Sequence, residues 1–568
     1  MTPEQFFENF GYIADAPNGV KKLRELILQL AVRGKLVPQD PSDEPASKLL
    51  ERITIEKELL FKDKKIKKNS AFPSIDATEQ PYGLPKSWIW SRLGSISSKI
   101  IDGSHNPPPE RSNGVPMLSS QNVLDGSITL LPARFISEEA YQKEIERTDV
   151  TPGDVFLTIV ATIGRSSVVP DGIPPIALQR SVALIRTLID PNYLSYFLRS
   201  PIAFNYYDKE AKGTAQRGMY LGKLSLMQVP IPPLSEQNRI VAKIYQLLTL
   251  CDELEAKRDK TQKKLARLNN SFIEQLLTTQ EHTEFYNVWE HIRDNFDLLY
   301  VTPENIGKFR LAILQLAVLG KLVPQDPNDE PASKLFERIQ AEKARLVQEK
   351  KMKKIEPLPP ISSDETPYKL PHGWKWCRVW DIAKLITSGS RDWAKHYSDS
   401  GAIFVTMGNL SRDSYQLRMD SIRYVNPPDN GEGSRTKLEE NDLLISITGD
   451  VGNLGLIPAN FGDAYINQHT CLLRFMPACQ NRYFPELMKS PIAKLQFNAP
   501  QRGIKNSFRL GDVGEMIIPL PPLAEQHRII VKVDLLMTLC DKLETRLTKA
   551  QTKADKLATA SIRGLISV

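Results

Sequence analysis

Residues 27–49 read ILQLAVRGKLVPQDPSDEPASKL, and residues 313–335 read ILQLAVLGKLVPQDPNDEPASKL. Twenty-one of these 23 positions are identical, at an offset of 286 residues. The same offset relates the sequence L-P-x-x-W at 84–88 to the same sequence at 370–374. Two long copies indicate a duplicated unit with pseudo-two-fold symmetry, because a solenoid would show many short repeats.

A second repeated sequence follows each copy of the first. PPLSEQNRI occupies 232–240, and PPLAEQHRI occupies 521–529, at an offset of 289 residues. The inserts 84–233 and 370–522 lie between the repeats and resemble each other only at scattered points. We therefore expect the repeated frame to perform one task twice, while the inserts perform related tasks with different specificities.

The segment after each PPLxEQ motif has the hydrophobic period of a coiled coil. Its apolar positions are spaced alternately by four and three, which predicts a heptad seam on a helix of about 45 residues that spans roughly 65 Å. That length exceeds one turn of DNA, about 34–36 Å. The predicted seam residues are Ile240, Ile244, Leu247, Cys251, Leu254, Arg258, Thr261, Leu265, Leu268 and Phe272, then Ile529, Val533, Leu536, Cys540, Leu543, Leu547, Ala550, Ala554 and Leu557.

The inserts have the pattern of mixed α/β domains. Short apolar runs at 155–160, 181–186, 442–448 and 471–475 predict strands, and clusters of Gly, Asn, Ser and Pro separate them. The fold class is therefore mixed α/β, with two α/β domains that are joined and separated by long antiparallel coiled-coil helices. The predicted segments are a helical arm at 1–83, an inner domain at 84–233, a central helical region at 234–369, a second inner domain at 370–522 and a distal helix at 523–568.

Composition excludes several classes of protein. The 568 residues carry a net charge of +7, which permits a polyanionic partner without requiring one. No apolar run of 18 residues occurs and residues 1–18 lack an apolar core, so we expect no membrane span and no signal peptide. The five cysteines form no CxxC pair, which is typical of reduced thiols in a cytoplasm.

Catalytic motifs are either incomplete or missing. Asn106–Pro109 and Asn426–Asp429 begin like the Asn-Pro-Pro-aromatic motif of adenine methyltransferases, but each lacks the aromatic residue that would stack on a flipped base. The chain contains neither a P-loop G-x-x-x-x-G-K-[ST] nor an H-E-x-x-H sequence. We therefore expect no catalytic residue, no metal site and no cofactor in this chain.

Two near-identical helical frames around two divergent inserts closely resemble the specificity subunits of Type I restriction–modification systems. The resemblance is carried by the P-P-L-[SA]-E-Q motifs and the L-P-x-x-W entries, and it covers nearly the whole chain. It implies that each insert is a target-recognition domain for one half of an asymmetric, interrupted site in double-stranded DNA. It also implies a prokaryotic cytoplasmic complex with two methyltransferase subunits and motor-nuclease subunits, in which the partners bind S-adenosylmethionine, ATP and Mg.

Two other interpretations predict different behaviour. A coiled-coil scaffold that only joins proteins would show no salt-dependent affinity for DNA. A self-sufficient methyltransferase or nuclease would form product alone, which the missing motifs argue against.

Reading a DNA sequence requires side chains that reach base edges, namely Arg or Lys for guanine, Asn or Gln for adenine and Ser or Thr for either. Polar loops of the inserts supply such residues, and we expect Gln179–Ser181 to match Gln468–Thr470 and Gln216–Gly218 to match Gln501–Gly503. The candidates are Ser104, His105, Asn106, Arg111, Ser119, Gln121, Asn122, Arg165, Gln179, Arg180, Gln216 and Arg217 in the first insert, and Ser390, Arg391, Lys395, Asn409, Arg412, Asn453, Gln468, His469, Gln501, Arg502 and Lys505 in the second.

Overall fold

The chain divides into two compact units, unit 1 with residues 1–261 and 549–568, and unit 2 with residues 262–548. Each unit holds a helical frame and a mixed inner domain. The computed structural model describes residues 11, 13–14, 16–66, 72–213, 217–428, 431–498 and 508–567.

Unit 1 begins with two frame helices, continues into the inner domain and leaves it on a long helix. Its elements are α1 (Gly19–Val32), α2 (Ala46–Lys62), β1 (Ile89–Arg92), β2 (Ser97–Asp102), β3 (Val115–Leu118), β4 (Val123–Leu124), β5 (Ser127–Ile128), β6 (Arg134–Ile136), α3 (Glu138–Thr148), β7 (Val155–Thr158), β8 (Ser166–Val168), β9 (Ala177–Leu178), β10 (Val182–Thr187), α4 (Pro191–Leu198), α5 (Pro201–Glu210), α6 (Leu221–Ser225), β11 (Gln228–Ile231) and α7 (Leu234–Thr278).

Unit 2 repeats this order with an additional pair of helices at its start. Its elements are α8 (His282–Asp294), α9 (Phe296–Leu299), α10 (Pro303–Val318), α11 (Ala332–Gln348), β12 (Lys375–Arg378), α12 (Val379–Ile382), β13 (Ala383–Ser388), β14 (Tyr397–Ser398), β15 (Ala402–Val405), β16 (Arg423–Val425), α13 (Gly431–Thr436), β17 (Leu443–Ser446), β18 (Leu454–Leu456), β19 (Ala464–Ile466), β20 (Thr470–Phe475), α14 (Tyr483–Lys489), α15 (Pro491–Asn498), α16 (Leu510–Glu515), β21 (Ile517–Leu520) and α17 (Leu523–Ser567).

The two inner domains are built on the same four-stranded antiparallel sheet. Its strand order is β2-β10-β7-β8 in unit 1 and β13-β20-β17-β18 in unit 2. The central strands are buried on both faces, which explains why they read as continuous apolar runs. All four predicted runs contain strands, so this part of the mixed α/β prediction is confirmed.

The chain enters and leaves each inner domain on paired strands. Strand β1 pairs antiparallel with β11 in unit 1, and β12 pairs with β21 in unit 2. Each inner domain therefore closes on itself at the point where it joins the frame. The predicted 45-residue helices are confirmed as α7 and α17.

The Glu-Gln pair of the PPLxEQ motif connects the long helix of unit 1 to the inner domain. Glu236 is fully buried and accepts hydrogen bonds from Trp88 Nε1 (2.9 Å) and Gln39 Nε2 (2.6 Å). The neighbouring Gln237 accepts from the backbone N–H of Asp190 (3.0 Å), at the start of α4. Burial raises the pKa of the Glu236 carboxyl. The motif therefore holds the entrance of the inner domain and the start of helix α4 together.

Unit 2 contains the same connection. Glu525 accepts from Trp374 Nε1 (2.9 Å) and Gln325 Nε2 (3.1 Å), and Gln526 Oε1 accepts from Asn481 Nδ2 (2.8 Å). Burial raises the pKa of the Glu525 carboxyl as well. The two entrance tryptophans, Trp88 and Trp374, are both buried.

The heptad prediction fails at two matched positions of the long helices, Thr261 with Ala550 and Leu268 with Leu557, and also at Arg258 of α7, because all five residues are exposed. Leu268 and Leu557 were expected in the seam, yet both are exposed, whereas the following residues Asn269 and Ala558 are completely buried. An α-helix has 3.6 residues per turn, so a strict alternation of four and three drifts off the buried face after several turns. The apolar face continues one residue later in both helices.

None of the helices within the described ranges has both the length and the apolar composition needed to cross a membrane.

Candidate nucleic-acid interface

Five polar segments of unit 1 meet where strands β2, β3 and β7 end. Two backbone hydrogen bonds join the segment at Ser104 to the segment that follows Leu178. Ser104 N donates to Leu178 O (2.7 Å), and Arg180 N donates to Ser104 O (3.0 Å). Gln179 N also donates to Leu118 O (2.8 Å). We call this region the loop cluster of unit 1 and define it by residues 104–106, 119–122, 159–165, 179–181 and 217–219.

The remaining segments are joined to the same strand ends. Ile159 N donates to Ser181 O (2.9 Å), and Ala161 N donates to Arg217 O (3.2 Å). Ser120 N donates to the Ser181 hydroxyl (3.0 Å). The structure thus brings most of the predicted residues of the first insert together, although they are up to 113 positions apart in the sequence.

Exposure separates the accessible candidates of unit 1 from those that hold the loops together. Arg165 and Gln179 are half-buried, and Ser104 takes part chiefly through its backbone. Gln216 lies outside the described residues. The exposed candidates are His105, Asn106, Arg111, Gln121, Arg180 and Arg217.

Two of these exposed side chains are held by carboxylates. His105 Nε2 lies 2.7 Å from Asp102 Oδ2, and the other oxygen of Asp102 accepts from Arg147 Nη2 at 2.6 Å. Arg217 contacts the carboxylate (3.2 Å) and the carbonyl (2.8 Å) of Asp208. Arg147 was not among the predicted residues, because nothing in the sequence of helix α3 indicates that it reaches Asp102.

Unit 2 contains a second loop cluster, defined by residues 388–391, 405–412, 447–453 and 467–469. Gly389 N donates to Asn467 O (3.1 Å), and Ile447 N donates to His469 O (3.0 Å). The strands that carry two of these segments pair directly, with Val405 opposite Ile466. The matched backbone connections show that both inner domains place polar loops at the same sheet end.

The predicted residues of unit 2 are more strongly engaged with one another. Gln468 Nε2 lies 2.8 Å from His469 Nε2, and His469 Nδ1 lies 2.7 Å from the Thr448 hydroxyl. Arg412 approaches Asp450 at 3.6 Å. The others comprise Ser390, which caps the turn before the exposed Arg391 and Lys395, and Gln501, Arg502 and Lys505, which lie outside the described residues.

Three of the predicted base contacts are asparagines with buried side chains. Asn122 is completely buried and donates to the carbonyls of Thr129 (3.1 Å) and Pro132 (2.8 Å). Asn409 is likewise buried and donates to two loop carbonyls, and Asn453 is buried with its Nδ2 on Asp450 (3.1 Å). These bonds hold the loops in shape, and contact of the three asparagines with base edges stays a prediction.

The predicted match of Gln179–Ser181 with Gln468–Thr470 is wrong by one residue. Val182 pairs with Thr158 in unit 1, and Thr470 pairs with Ser446 in unit 2, so the true offset is 288. Arg180 therefore corresponds to Gln468. The match of Gln216–Gly218 with Gln501–Gly503 stays a prediction, because residues 499–507 lie outside the described part of the chain.

Sequence reasoning also missed Arg435, on helix α13 of unit 2. Its guanidinium donates to the Thr387 hydroxyl and to the Ser388 carbonyl, both at 2.7 Å, next to the loop cluster. The short helix separates this arginine from the polar loops in the sequence, so composition gave no signal for it.

Neither a metal-binding arrangement nor a reactive thiol is found. Over the ranges that the structure covers, no group of three or more His, Cys, Asp and Glu side chains could hold a metal ion. All five cysteines are free and buried, and burial raises the pKa of Cys251 to about 11 and of Cys479 to about 12. Such thiols are poor nucleophiles at neutral pH.

Comparison with known proteins identifies the family. The model of the Type I restriction modification DNA specificity domain matches residues 85–262 and 371–551. The chain is 34% identical to the Type I restriction enzyme EcoAI specificity subunit of Escherichia coli, over 96% of this chain and 94% of that protein. It is 32% identical to the EcoEI specificity subunit of Escherichia coli, over 95% of this chain and 93% of that protein.

Among solved structures, the crystal structure of the HsdS subunit from Thermoanaerobacter tengcongensis covers 86% of this chain and 99% of its own, with 18% identity and a TM-score of 0.41. The family match in both inner domains and the near-complete coverage of the two Escherichia coli relatives are decisive. The chain belongs to the family of Type I restriction enzyme specificity subunits.

Proposed function

We propose that this chain is the DNA-specificity subunit of a Type I restriction–modification complex, and that each unit reads one half of an asymmetric, two-part site in double-stranded DNA. One observation carries the proposal. The two inner domains share the sheet and the frame connection, yet their loop clusters differ in side chains. A shared scaffold with unlike polar loops is what two sensors for different sequences require.

The proposed recognition domains are residues 84–233 and 370–522. Polar loop residues of both domains would contact base edges and phosphates, and the buried side chains of Asn122, Asn409 and Asn453 would support the loops. The proposed contacts are Ser104, His105, Asn106, Arg111, Ser119, Gln121, Arg165, Gln179, Arg180, Gln216 and Arg217, with Ser390, Arg391, Lys395, Arg412, Gln468, His469, Gln501, Arg502 and Lys505.

The helical regions 1–83, 234–369 and 523–568 would set the spacer between the half-sites and dock two methyltransferase subunits, through which the restriction subunits join. Each 45-residue helix contributes residues to both units, which supports this role. Catalysis, with S-adenosylmethionine, ATP and Mg, would belong to the partners, in a prokaryotic cytoplasm.

A domain exchange in the intact complex tests the proposal. Residues 84–233 are replaced by the matching domain of a relative with a different target, and the methylated motif is sequenced from cells. One half of the motif should change, while the other half and the spacer stay constant. Exchange of residues 370–522 is the matched control and should change the opposite half. An unaltered motif after both exchanges would contradict the proposal.

Competition binding separates this function from that of a scaffold. The complex of this chain with its methyltransferase partner should prefer its own motif over scrambled duplex by about 1,000-fold or more at physiological salt. Equal affinity for both duplexes would favour non-specific binding. The absence of any salt-dependent DNA affinity would favour a scaffold.

A further inference from the structure

Two arginines in the loop cluster of unit 1 have guanidinium groups that contact no other side chain or carbonyl among the described residues. Neither Arg165 nor Arg180 has a side-chain hydrogen bond or ion pair with any residue that the structure describes, although the backbone N–H of each is bonded. The nearby Arg147 and Arg217 are both held by carboxylates. Arg165 is half-buried, but no nitrogen of either guanidinium is among the buried unpartnered atoms, so both groups are open to solvent. The two groups are therefore poised for an external acceptor.

The loop that carries Arg165 is fixed before any ligand arrives. The Thr158 hydroxyl donates to Thr162 O and accepts from Arg165 N at 3.0 Å. Gly164 has a φ of 104°, and a Cβ there would lie 2.7 Å from the ring of Phe204. A side chain on a fixed loop loses little entropy on binding, which favours specific recognition.

Unit 2 has the same loop with different chemistry at its end. The Ser446 hydroxyl donates to Asp450 O and accepts from Asn453 N (2.8 Å), as Thr158 does in unit 1. Asn453 therefore stands where unit 1 has Arg165. The sheet register places Gln468 where unit 1 has Arg180. At both matched positions, unit 1 carries a guanidinium and unit 2 an amide.

Guanidinium and amide groups form hydrogen bonds with different bases. A guanidinium presents a rigid fork of donors that matches O6 and N7 of guanine in the major groove, whereas an amide matches adenine. We propose that Arg165 and Arg180 are specificity-determining residues, and that they read G·C pairs in the half-site of unit 1. This rests on the proposed function and goes further, because it assigns base chemistry to two named positions.

The test uses the complex with the methyltransferase partner. Arg165→Asn and Arg180→Gln install the residues of the matched positions, and Arg165→Lys and Arg180→Lys retain the charge without the fork. Each variant is assayed by sequencing the methylated motif and by binding to duplexes that carry every single substitution of the motif. Arg52→Gln, an exposed arginine on frame helix α2, is the control.

Each variant should relax recognition at a G·C pair in one half of the motif, with about a 10- to 100-fold loss of discrimination there. The other half and the spacer should be unchanged, the lysine variants should not restore discrimination, and Arg52→Gln should behave as wild type. Unchanged thermal unfolding would confirm that the variants fold, since these side chains have no partner among the described residues.

Two results would overturn the inference. Relaxation confined to A·T pairs would show that the assigned chemistry is wrong. A uniform loss of affinity for every sequence, with the salt slope reduced by about one per variant and full rescue by lysine, would show phosphate contacts only. Failure of the proposed function itself is a separate outcome, in which no two-part motif depends on this chain.

Discussion

Trp88 donates its indole N–H to the carboxylate of Glu236 at 2.9 Å, and both side chains are buried. The bond joins the first residues of an inner domain to the first turn of a 45-residue helix. Trp374 and Glu525 form the same bond in unit 2, also at 2.9 Å. The PPLxEQ motif, which looks only like a helix start in the sequence, therefore connects each inner domain to its helical frame.

Removal of this acceptor should weaken unit 1 specifically. Glu236→Ala leaves the buried indole N–H of Trp88 without its acceptor, which should cost about 1–3 kcal/mol of the free energy of unfolding. Glu525→Ala is the matched control and should weaken unit 2. Hydrogen exchange measured by mass spectrometry should show lost protection in α1 and β1 for the first variant, and in α10 and β12 for the second. Equal loss in both units for either variant would contradict the assignment.

The buried carboxylate should also make stability depend on pH. Burial raises the pKa of Glu236, so the folded chain binds this proton more readily than the unfolded chain does. Its contribution is greatest below the ordinary glutamate pKa, about 4.3, and is lost as the pH rises through the raised value. Glu236→Gln removes this titration. The stability of wild type relative to the variant, from urea unfolding, should therefore fall between pH 4.5 and 7. A difference that is flat or rises with pH would show that hydrogen bonding outweighs burial.

Each inner domain contains an ion pair between a buried aspartate and an arginine, and the two arginines differ in how much of the side chain is exposed. Asp442 accepts two bonds at 2.7 Å from Arg474, whose side chain is 9% exposed. Asp154 accepts two bonds at 2.8 Å from Arg186, whose side chain is 31% exposed. Asp442→Ala removes two charge-assisted bonds from a buried cation, which keeps Glu439 and the Lys437 carbonyl as partners, and should cost about 3 kcal/mol. Asp154→Ala should cost clearly less, because water can reach Arg186. Denaturant unfolding of both variants gives the comparison, and the opposite order would refute this account.

Much of the fold could be predicted because the repeats are nearly identical and the central strands are continuous apolar runs. The side-chain roles could not be predicted equally well. Asn122 and an accessible base-reading asparagine look alike in a polar loop, and only the burial of Asn122 separates them. The one-residue error at Gln468 arose because the inserts share too few residues to fix their register, whereas strand pairing fixes it directly.

Residues 549–568 should stabilise unit 1 but not unit 2. Residues 549–568 belong to that unit, where Lys22 contacts Asp555 (2.7 Å) and the Thr559 hydroxyl (2.9 Å), and Ala558 is completely buried. Deletion of these residues should expose the core against α1 and abolish its protection from hydrogen exchange. Helix α10 of unit 2 should keep its protection, because residues 262–278 fill the same role there. Loss of protection in α10 as well would contradict the prediction.

Asn269 is a buried polar residue of helix α7 whose side chain lacks a hydrogen bond. It is completely buried, and neither its Nδ2 nor its Oδ1 has a partner among the described residues, whereas the matched position in α17 is Ala558. An unpaired buried amide costs about 1–3 kcal/mol, so Asn269→Leu, which keeps the branching and the number of side-chain heavy atoms, should raise the free energy of unfolding by a similar amount. The reverse change, Ala558→Asn, should lower it and serves as the control. Both are measured by urea unfolding. If Asn269→Leu destabilised the protein, the amide would have a partner in solution and the cost of burial would already be compensated.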